Sequence, residues 1–169
     1  MPNSAKQTYV FRDVEEDDLP LLHDWLAQPH NVEWWDDADE AIEEIREAMD
    51  SVETEPLIVE LKGKPIAYLQ CYDPHLEEGH PYQDQPFGTL GLDISIGEPE
   101  LIGVGHGSAI VSQFAEQLFE EGCPRVIIDP HPDNARAIRA YEKAGFRELY
   151  RIASIYGEAV LMALDAPAD

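Results

Sequence analysis

The amino-acid sequence predicts an α/β fold in which a single mixed, mostly antiparallel sheet is flanked by helices. Segments whose apolar residues recur with helical spacing alternate with short apolar segments that are typical of strands. The chain has 169 residues, of which 44% are hydrophobic, so it can bury a core of ordinary size. We therefore expect residues 1–169 to form one domain, with a polar N-terminal tail (residues 1–8) and a short C-terminal tail (residues 165–169).

Capping and turn residues set the expected boundaries of the elements. Asp13 and Glu16 have the spacing of a capping box, which predicts that a helix begins there, and Pro29 is expected to end that helix. Lys62-Gly63-Lys64 lies between two apolar segments and predicts a hairpin. In chain order, the predicted elements are a strand (9–12), two helices (13–27 and 38–50), three strands (57–61, 65–72 and 88–97), a helix (105–121), a strand (125–129), a helix that ends at residue 144 and two strands (146–152 and 159–164).

Composition distinguishes the fifth strand and the loop that precedes the fourth strand. Residues 125–129 are apolar on both faces, which favours an interior parallel strand. Residues 74–87 contain acidic residues and three prolines without periodicity. We interpret this segment as a mobile loop, the kind of segment that often carries substrate-contacting groups.

Three glycines at alternate positions precede the helix that is predicted to begin near residue 105. The loop consists of Ile102, Gly103, Val104, Gly105, His106, Gly107 and Ser108. Glycine permits a tight turn and lets backbone N–H groups approach a ligand closely, and the positive end of the helix dipole attracts an anion. This pattern indicates a phosphate or pyrophosphate site, although a strand-to-helix turn that merely uses glycine has the same appearance.

The charge balance of the chain is unusual. There are 35 acidic and 11 basic residues, which give a net charge of −24. Such a surface repels the phosphate backbone of nucleic acids, so we expect no nucleic-acid partner. It would attract a polycationic small molecule, but a solvating acidic surface of the kind expected in a high-salt cytoplasm explains the same composition.

Metal ligands and membrane segments are not indicated by the sequence. Cys71 and Cys123 are far apart, and the six histidines do not have the spacing of a metal site. Residues 1–8 lack the apolar core of a signal peptide, and no apolar run is long enough to span a bilayer. We expect a cytoplasmic protein, monomeric or homodimeric, without a metal ion or a membrane partner.

The order of the elements, the glycine loop after the fourth strand and the block at residues 134–146 (NARAIRAYEKAGF) together resemble the GCN5-related N-acetyltransferase (GNAT) superfamily over nearly the whole chain. The resemblance implies a sheet that splays between strands 4 and 5, and acetyl-CoA as a co-substrate whose pyrophosphate binds the glycine loop. It also implies that Asn134 binds the pantetheine arm and that Tyr141 acts as general acid toward the leaving thiolate. A plain helix cap and a core tyrosine are the structural alternatives for these two residues. The family has arginine or glutamine where this sequence has Ile102.

A finer resemblance is to aminoglycoside 6′-N-acetyltransferases. It is carried by Val32-Glu33-Trp34-Trp35, by Asp93 in the fourth strand and by Asp129-Pro130 after the fifth. It implies acetyl transfer to a primary amine of an aminoglycoside-like polycationic small molecule. The acidic residue that the family has in the last hairpin is Tyr156 here. The tryptophan segment also resembles acetyltransferases of siderophore assembly, so the alternatives are a siderophore or diamine acetyltransferase and a non-catalytic acyl-CoA-binding module.

The candidate substrate residues are acidic or aromatic. A carboxylate at the splay can take the proton of the acceptor ammonium, directly or through a water. Asp93 is our candidate base and Asp129 our candidate substrate anchor, although the sequence ranks the two only weakly. We expect Trp34 and Trp35 to stack on sugar faces and Asp84 to add a carboxylate for substrate binding. The structural alternatives are a strand-end carboxylate for Asp93, an Asx turn for Asp129 and core positions for the tryptophans.

Overall fold

Seven strands and five helices make up the fold in the computed structural model, which describes residues 8–35, 37–155 and 157–168. The strands are β1 (Tyr9–Asp13), β2 (Thr54–Leu61), β3 (Lys64–Tyr72), β4 (Leu90–Ile96), β5 (Arg125–Ile128), β6 (Arg147–Ser154) and β7 (Gly157–Asp165). The helices are α1 (Leu19–Leu26), α2 (Pro29–Val32), α3 (Ala38–Met49), α4 (His106–Glu120) and α5 (Ala135–Lys143).

All seven strands belong to one sheet, in the order β1-β2-β3-β4-β5-β7-β6. Every neighbouring pair is antiparallel except β4 and β5, which run parallel. These two strands pair only from Leu90–Val126 to Leu92–Ile128. Strand β4 continues to Ile96, so beyond Leu92 its edge facing β5 lacks a strand partner and the sheet opens. The predicted mixed sheet and its splay are confirmed.

The sheet is covered by helices on both faces because its central strands are apolar on both sides. Leu57 and Val59 of β2 belong to a core cluster with residues of α4 and α5. Ile58 lies between them in the chain, points to the opposite face and joins the core of α1 and α3. A third cluster, on strands β5 and β7, consists of Ile127, Leu161 and Ala163 packed with Tyr82.

The start of the first helical segment differs from the prediction. Asp13 belongs to β1, and the capping box is formed by Glu15 and Asp18 at a short 3₁₀ turn that precedes α1. The Asp18 carboxylate accepts two hydrogen bonds from the Arg12 guanidinium at 2.8 and 2.9 Å, which anchors this turn to the end of β1. That contact, which spacing alone did not reveal, moves the start of the helix.

Pro29 was predicted to end the first helix, but it begins a new one. Helix α1 ends at Leu26, and Pro29 occupies the first position of α2. Proline is tolerated there because the first N–H groups of a helix have no intrahelical acceptor. The short α2 helix then leads directly into the tryptophan segment.

The loop between β3 and β4 is better packed than the sequence indicated. Residues 81–84 form a 3₁₀ turn, and Tyr82 within it is only 3% exposed. Gln85 is also buried. The segment that we interpreted as a mobile loop therefore contributes a buried turn, in which Tyr82 belongs to the core on strands β5 and β7.

Membrane-spanning helices and clusters of metal ligands are both absent from residues 8–35, 37–155 and 157–168. None of the helices among them is both long and apolar enough to cross a membrane. Across the same ranges, no group of three or more His, Cys, Asp or Glu side chains is placed to hold a metal ion.

Candidate active site

The glycine loop forms one wall of a cavity of about 300 Å³, which we name the loop cavity. Gly105 is the N-cap of α4 and has a φ of +95°, a left-handed conformation that glycine adopts without strain. Gly103, Gly105 and Gly107 line the cavity together with Ile102 and Ser108. A Cβ atom added at any of the three glycines would meet no heavy atom within 4 Å, so the backbone above the loop is open to a ligand.

Two residues of the predicted loop do not line this cavity with their side chains. Val104 is 64% exposed on the outside of the loop. The His106 ring lies against β1, where its Nδ1 is 2.7 Å from the hydroxyl of the buried Tyr9. Any contribution of these two residues to binding is therefore through the backbone or through the shape of the loop.

Helix α5 forms the opposite wall of the loop cavity. Asn134 is its N-cap, and the side-chain oxygen accepts from the Ala137 N–H at 3.3 Å. Asn134 lines the cavity at the same time, so capping and ligand binding are compatible, with the side-chain N–H₂ available as a donor. Tyr141 is buried on the same helix and lines the cavity, and no hydrogen-bond partner for its hydroxyl occurs in the described part of the chain.

A second cavity, of about 180 Å³, lies at the splay, and we name it the carboxylate cavity. Asp93 and Asp129 both line it. Leu92 packs into the core of α4 and α5, so the alternation along β4 places Asp93 on the opposite face. Asp129 directly follows the last residue of β5. The splay thus brings together two carboxylates that are 36 positions apart in the sequence.

Each carboxylate is held by a neutral donor. Gln70, which lies opposite Asp93 in the β3–β4 register, donates to Asp93 Oδ2 at 2.9 Å. The Gln70 side chain in turn accepts from the Tyr68 hydroxyl at 2.6 Å. Tyr82 donates to Asp129 Oδ2 at 2.6 Å. These contacts orient the carboxylates without neutralising them, because no cation takes part.

The electrostatics of the carboxylate cavity favour protonated groups. Burial raises the pKa of Asp93 above its ordinary range, partly opposed by the Gln70 hydrogen bond. Burial and then the nearby Asp93 charge raise the pKa of Asp129. Burial, and then the charges of the two aspartates, also raise the pKa of Tyr141, so its hydroxyl is a proton donor throughout the physiological range.

The two tryptophans connect the cavities. Trp34 and Trp35 line both of them, as do Asn134 and Tyr141. The Trp34 ring lies 5.6 Å from that of His131, and the Trp35 ring lies 5.9 Å from that of Tyr68. Both are only partly buried and present ring surface to the cavities, while Trp35 also packs against the core of α1 and α3.

Asp84 lies away from both cavities, and Tyr156 cannot be placed relative to them. Asp84 is exposed and lines neither cavity, and its carboxylate accepts from the Tyr150 hydroxyl at 2.8 and 3.1 Å. Tyr156, which stands where the resembled family has an acidic residue, is outside the described residues.

Sequence reasoning missed Gln70, Tyr72 and Tyr82. The Tyr72 ring crosses β4 at Gly91, where a Cβ atom would lie only 2.1 Å from the ring. Burial, and then the charges of Asp129 and Asp93, raise the pKa of Tyr72, and burial and the same two charges raise that of Tyr141. Only the register of β3 against β4 would have identified Gln70 and Tyr72, and Tyr82 lies in an aperiodic segment without any signal.

Comparison with known proteins identifies the family to which this arrangement belongs. Residues 14–153 match the family model described as an acetyltransferase (GNAT) domain. The chain belongs to the GNAT acetyltransferase family. The glycine loop and the opening of the sheet between β4 and β5 therefore belong to a GNAT domain, as the resemblance implied.

The relatives of this GNAT protein include enzymes with two kinds of acceptor. It is 33% identical to aminoglycoside N(6′)-acetyltransferase type 1 of Klebsiella pneumoniae, across 94% of this chain and 84% of the relative. It is 27% identical to the lysine N-acyltransferase MbtK of Mycolicibacterium paratuberculosis, across 94% of this chain and 74% of the relative. Among solved structures, aminoglycoside acetyltransferase AAC(6′)-Ib in complex with coenzyme A and kanamycin aligns with a TM-score of 0.85, 31% identity and coverage of 94% and 95% of the two chains.

Proposed function

We propose that this chain transfers the acetyl group of acetyl-CoA to a primary amine of an aminoglycoside, and that the 6′-amine is the acceptor. The proposal is based on the two adjoining cavities, which share Tyr141. The loop cavity has glycine backbone that a ligand can approach, and the carboxylate cavity contains two aspartates. The 33% identity to an aminoglycoside N(6′)-acetyltransferase supports the choice of acceptor.

The loop cavity suits acetyl-CoA. Its glycines leave space for pyrophosphate oxygens at the N-terminus of α4, where unpaired N–H groups and the helix dipole favour an anion. Asn134 lies farther along the same cavity, in the direction of the splay, and its N–H₂ group can donate to the pantetheine arm. The thioester would then lie beside the unpaired edge of β4, where a backbone N–H can stabilise the oxyanion.

The carboxylate cavity suits the acceptor amine. The amine must lose a proton before its lone pair attacks the thioester carbonyl, and Asp93 is our base for this proton, directly or through a water. Asp129 holds a second ammonium group of the acceptor. When the C–S bond of the tetrahedral intermediate breaks, Tyr141 donates its proton to the leaving sulfur, and the products are the amide and free CoA.

Electrostatics favour an acceptor with several ammonium groups. Burial and then the nearby Asp93 charge raise the pKa of Asp129, and an ammonium that enters the cavity relieves part of this repulsion. A contact between an ammonium and a carboxylate contributes roughly 1.5–3 kcal/mol when it is well placed. An acceptor with only one ammonium group would use only one of the two contacts. We also infer that the enzyme acts in the cytoplasm, where acetyl-CoA is produced.

A lysine side chain is the second candidate acceptor. The 27% identity to a lysine N-acyltransferase extends across 94% of the chain, which supports this alternative. A lysine side chain has a single ammonium group and would leave one carboxylate of the cavity without a cationic partner. For that reason we rank lysine below the aminoglycoside as the acceptor.

Release of free thiol from acetyl-CoA tests the proposal. We expect kanamycin and tobramycin to give a higher kcat/KM than lysine derivatives with a single free amine, such as Nα-acetyl-lysine, and we expect the KM for kanamycin to rise with salt. Mass spectrometry of the product should locate the acetyl group on the 6′-amine. Turnover of lysine derivatives or diamines without turnover of any aminoglycoside would refute the acceptor, and thiol release with none of these amines would refute the enzymatic activity.

A further inference from the structure

We propose that Arg136, Arg139 and Lys143 form a binding site for the 3′-phosphate of the CoA adenosine, so that the enzyme selects free CoA thioesters as donors. This inference rests on the proposed function, because it assumes that CoA occupies the loop cavity. We name the three side chains the basic strip.

The basic strip follows one side of helix α5. Its members are three and four residues apart, a spacing that aligns side chains along a helix, and all three line the loop cavity opposite the glycines. At 1.5 Å per residue, the strip extends for about 10 Å along the helix axis. This length allows one end to approach the pyrophosphate at the glycine loop while the other reaches a more distant phosphate.

The strip lacks carboxylate partners in a chain that has an excess of them. The chain contains 35 acidic and only 11 basic residues. Each of the other described arginines forms an ion pair with a carboxylate within 4 Å: these are Arg12, Arg46, Arg125, Arg147 and Arg151. None of the three residues of the strip pairs with an acidic side chain anywhere in residues 8–35, 37–155 or 157–168.

The stability of α5 does not explain the strip. Arg136 is the second residue of the helix, and the first turn contains no acidic residue. A cation at this end opposes the helix dipole, which favours negative side chains there. Arg136 thus has neither an ion pair nor a favourable helix position, and an anionic ligand in the cavity would supply the missing partner.

The chemistry of the strip matches a phosphate monoester. The amides of the glycine loop can satisfy the pyrophosphate, which leaves the 3′-phosphate as the remaining charged group of CoA. Arginine binds phosphate through two parallel N–H···O bonds, and lysine adds a point charge. In a chain of net charge −24, this local positive field is also needed to attract a polyanionic donor.

Donor selectivity follows from this assignment. Acetyl-dephospho-CoA lacks the 3′-phosphate, and acetyl-pantetheine lacks the whole nucleotide, as does the phosphopantetheine arm of a carrier protein. If the strip binds the 3′-phosphate, these donors should lose affinity, while kcat at saturation should change little because none of the three side chains lines the carboxylate cavity, where the acceptor binds.

Calorimetry with CoA and dephospho-CoA tests the inference. We expect the wild-type enzyme to bind CoA at least about tenfold more tightly than dephospho-CoA. In the triple variant Arg136→Gln/Arg139→Gln/Lys143→Gln, CoA affinity should fall at least about tenfold and the ratio between the two ligands should approach one. The three side chains are exposed, so the variant should fold, and circular dichroism checks this. Lys62→Gln, at the tip of the hairpin and also without an ion pair among the described residues, is the matched control for loss of charge and should behave like the wild type.

The outcomes separate this inference from the proposed function. Equal affinity of the wild type for the two ligands, or a triple variant that keeps the wild-type ratio, would overturn the assignment of the strip even if acetyl transfer is normal. A preference for CoA that the triple variant loses would support the strip even if no aminoglycoside is acetylated. Absence of CoA binding to the wild type would refute both.

Discussion

Replacement of Tyr82 by phenylalanine should shift the pH dependence of acceptor use. The Tyr82 hydroxyl donates to Asp129 Oδ2 at 2.6 Å, while its ring packs against strands β5 and β7. The substitution removes the donor and keeps the ring, so the core around it should survive. Because the hydrogen bond favours the ionised carboxylate, its loss raises the pKa of Asp129 further above the ordinary range.

The hydrogen bond sets the size of the effect. A hydrogen bond to a charged group contributes roughly 1.5–3 kcal/mol, and 1.36 kcal/mol corresponds to one pH unit. The side chain needs to be ionised to hold an ammonium, so the acid limb of the profile of kcat/KM for kanamycin should move upward by roughly one to two pH units. Below this limb the variant should show a higher KM, and at high pH it should approach the wild type.

A matched control is available in Tyr150→Phe. The Tyr150 hydroxyl also donates to a carboxylate, that of Asp84, but Asp84 is exposed and lines neither cavity. This variant should leave the acid limb in place. If Tyr82→Phe folds and its pH profile coincides with that of the wild type, Asp129 does not act as an ionised anchor.

Four further substitutions test the remaining roles. Tyr141→Phe should lower kcat by roughly 10²–10⁴-fold with little change in CoA affinity, and near-normal turnover would restrict Tyr141 to packing. Asp93→Asn should lower kcat more than it raises the KM for kanamycin, whereas Asp129→Asn should do the reverse; steady-state kinetics with both variants would reveal an exchanged assignment. Gly107→Val should weaken CoA binding at least tenfold, about 1.4 kcal/mol, with the fold preserved because a Cβ there meets no atom within 4 Å. Unchanged affinity in calorimetry would contradict the phosphate-loop interpretation.

Local signals in the sequence were sufficient for most of the fold. The hairpin predicted at Lys62-Gly63-Lys64 is confirmed, and Lys62 and Gly63 in its turn both have left-handed backbone. Asn134 caps α5, and β5 is an interior, largely buried strand that pairs in parallel with β4, as its apolar sequence indicated. The wrong capping box at Asp13 has a tertiary cause, since the contact between Arg12 and Asp18 joins a strand to the following turn.

Local motifs in the sequence predicted the two carboxylates of the candidate site but not the residues that hold them. Asp93 was predicted from its position in the fourth strand and Asp129 from its position after the fifth. The splay brings both side chains into one cavity. Their partners Gln70 and Tyr82 come from a neighbouring strand and from a loop, so their roles depend on pairing and packing that no local pattern contains. Asp84 was chosen for its position in an acidic loop, but the direction of its side chain is decided by Tyr150.

If the proposed function is correct, a chain of net charge −24 has to bind a polyanion, acetyl-CoA, next to a polycation, the aminoglycoside. Charge segregation in the described structure offers a way to do this. The loop cavity combines the N-terminus of α4 with the unpaired cations of the basic strip, whereas the carboxylate cavity contains two aspartates held by neutral donors. Tyr141 lies where the cavities meet, and its raised pKa keeps it protonated beside both aspartates. The acidic surface therefore does not need to select the acceptor by itself, since the local fields decide which ligand enters which cavity.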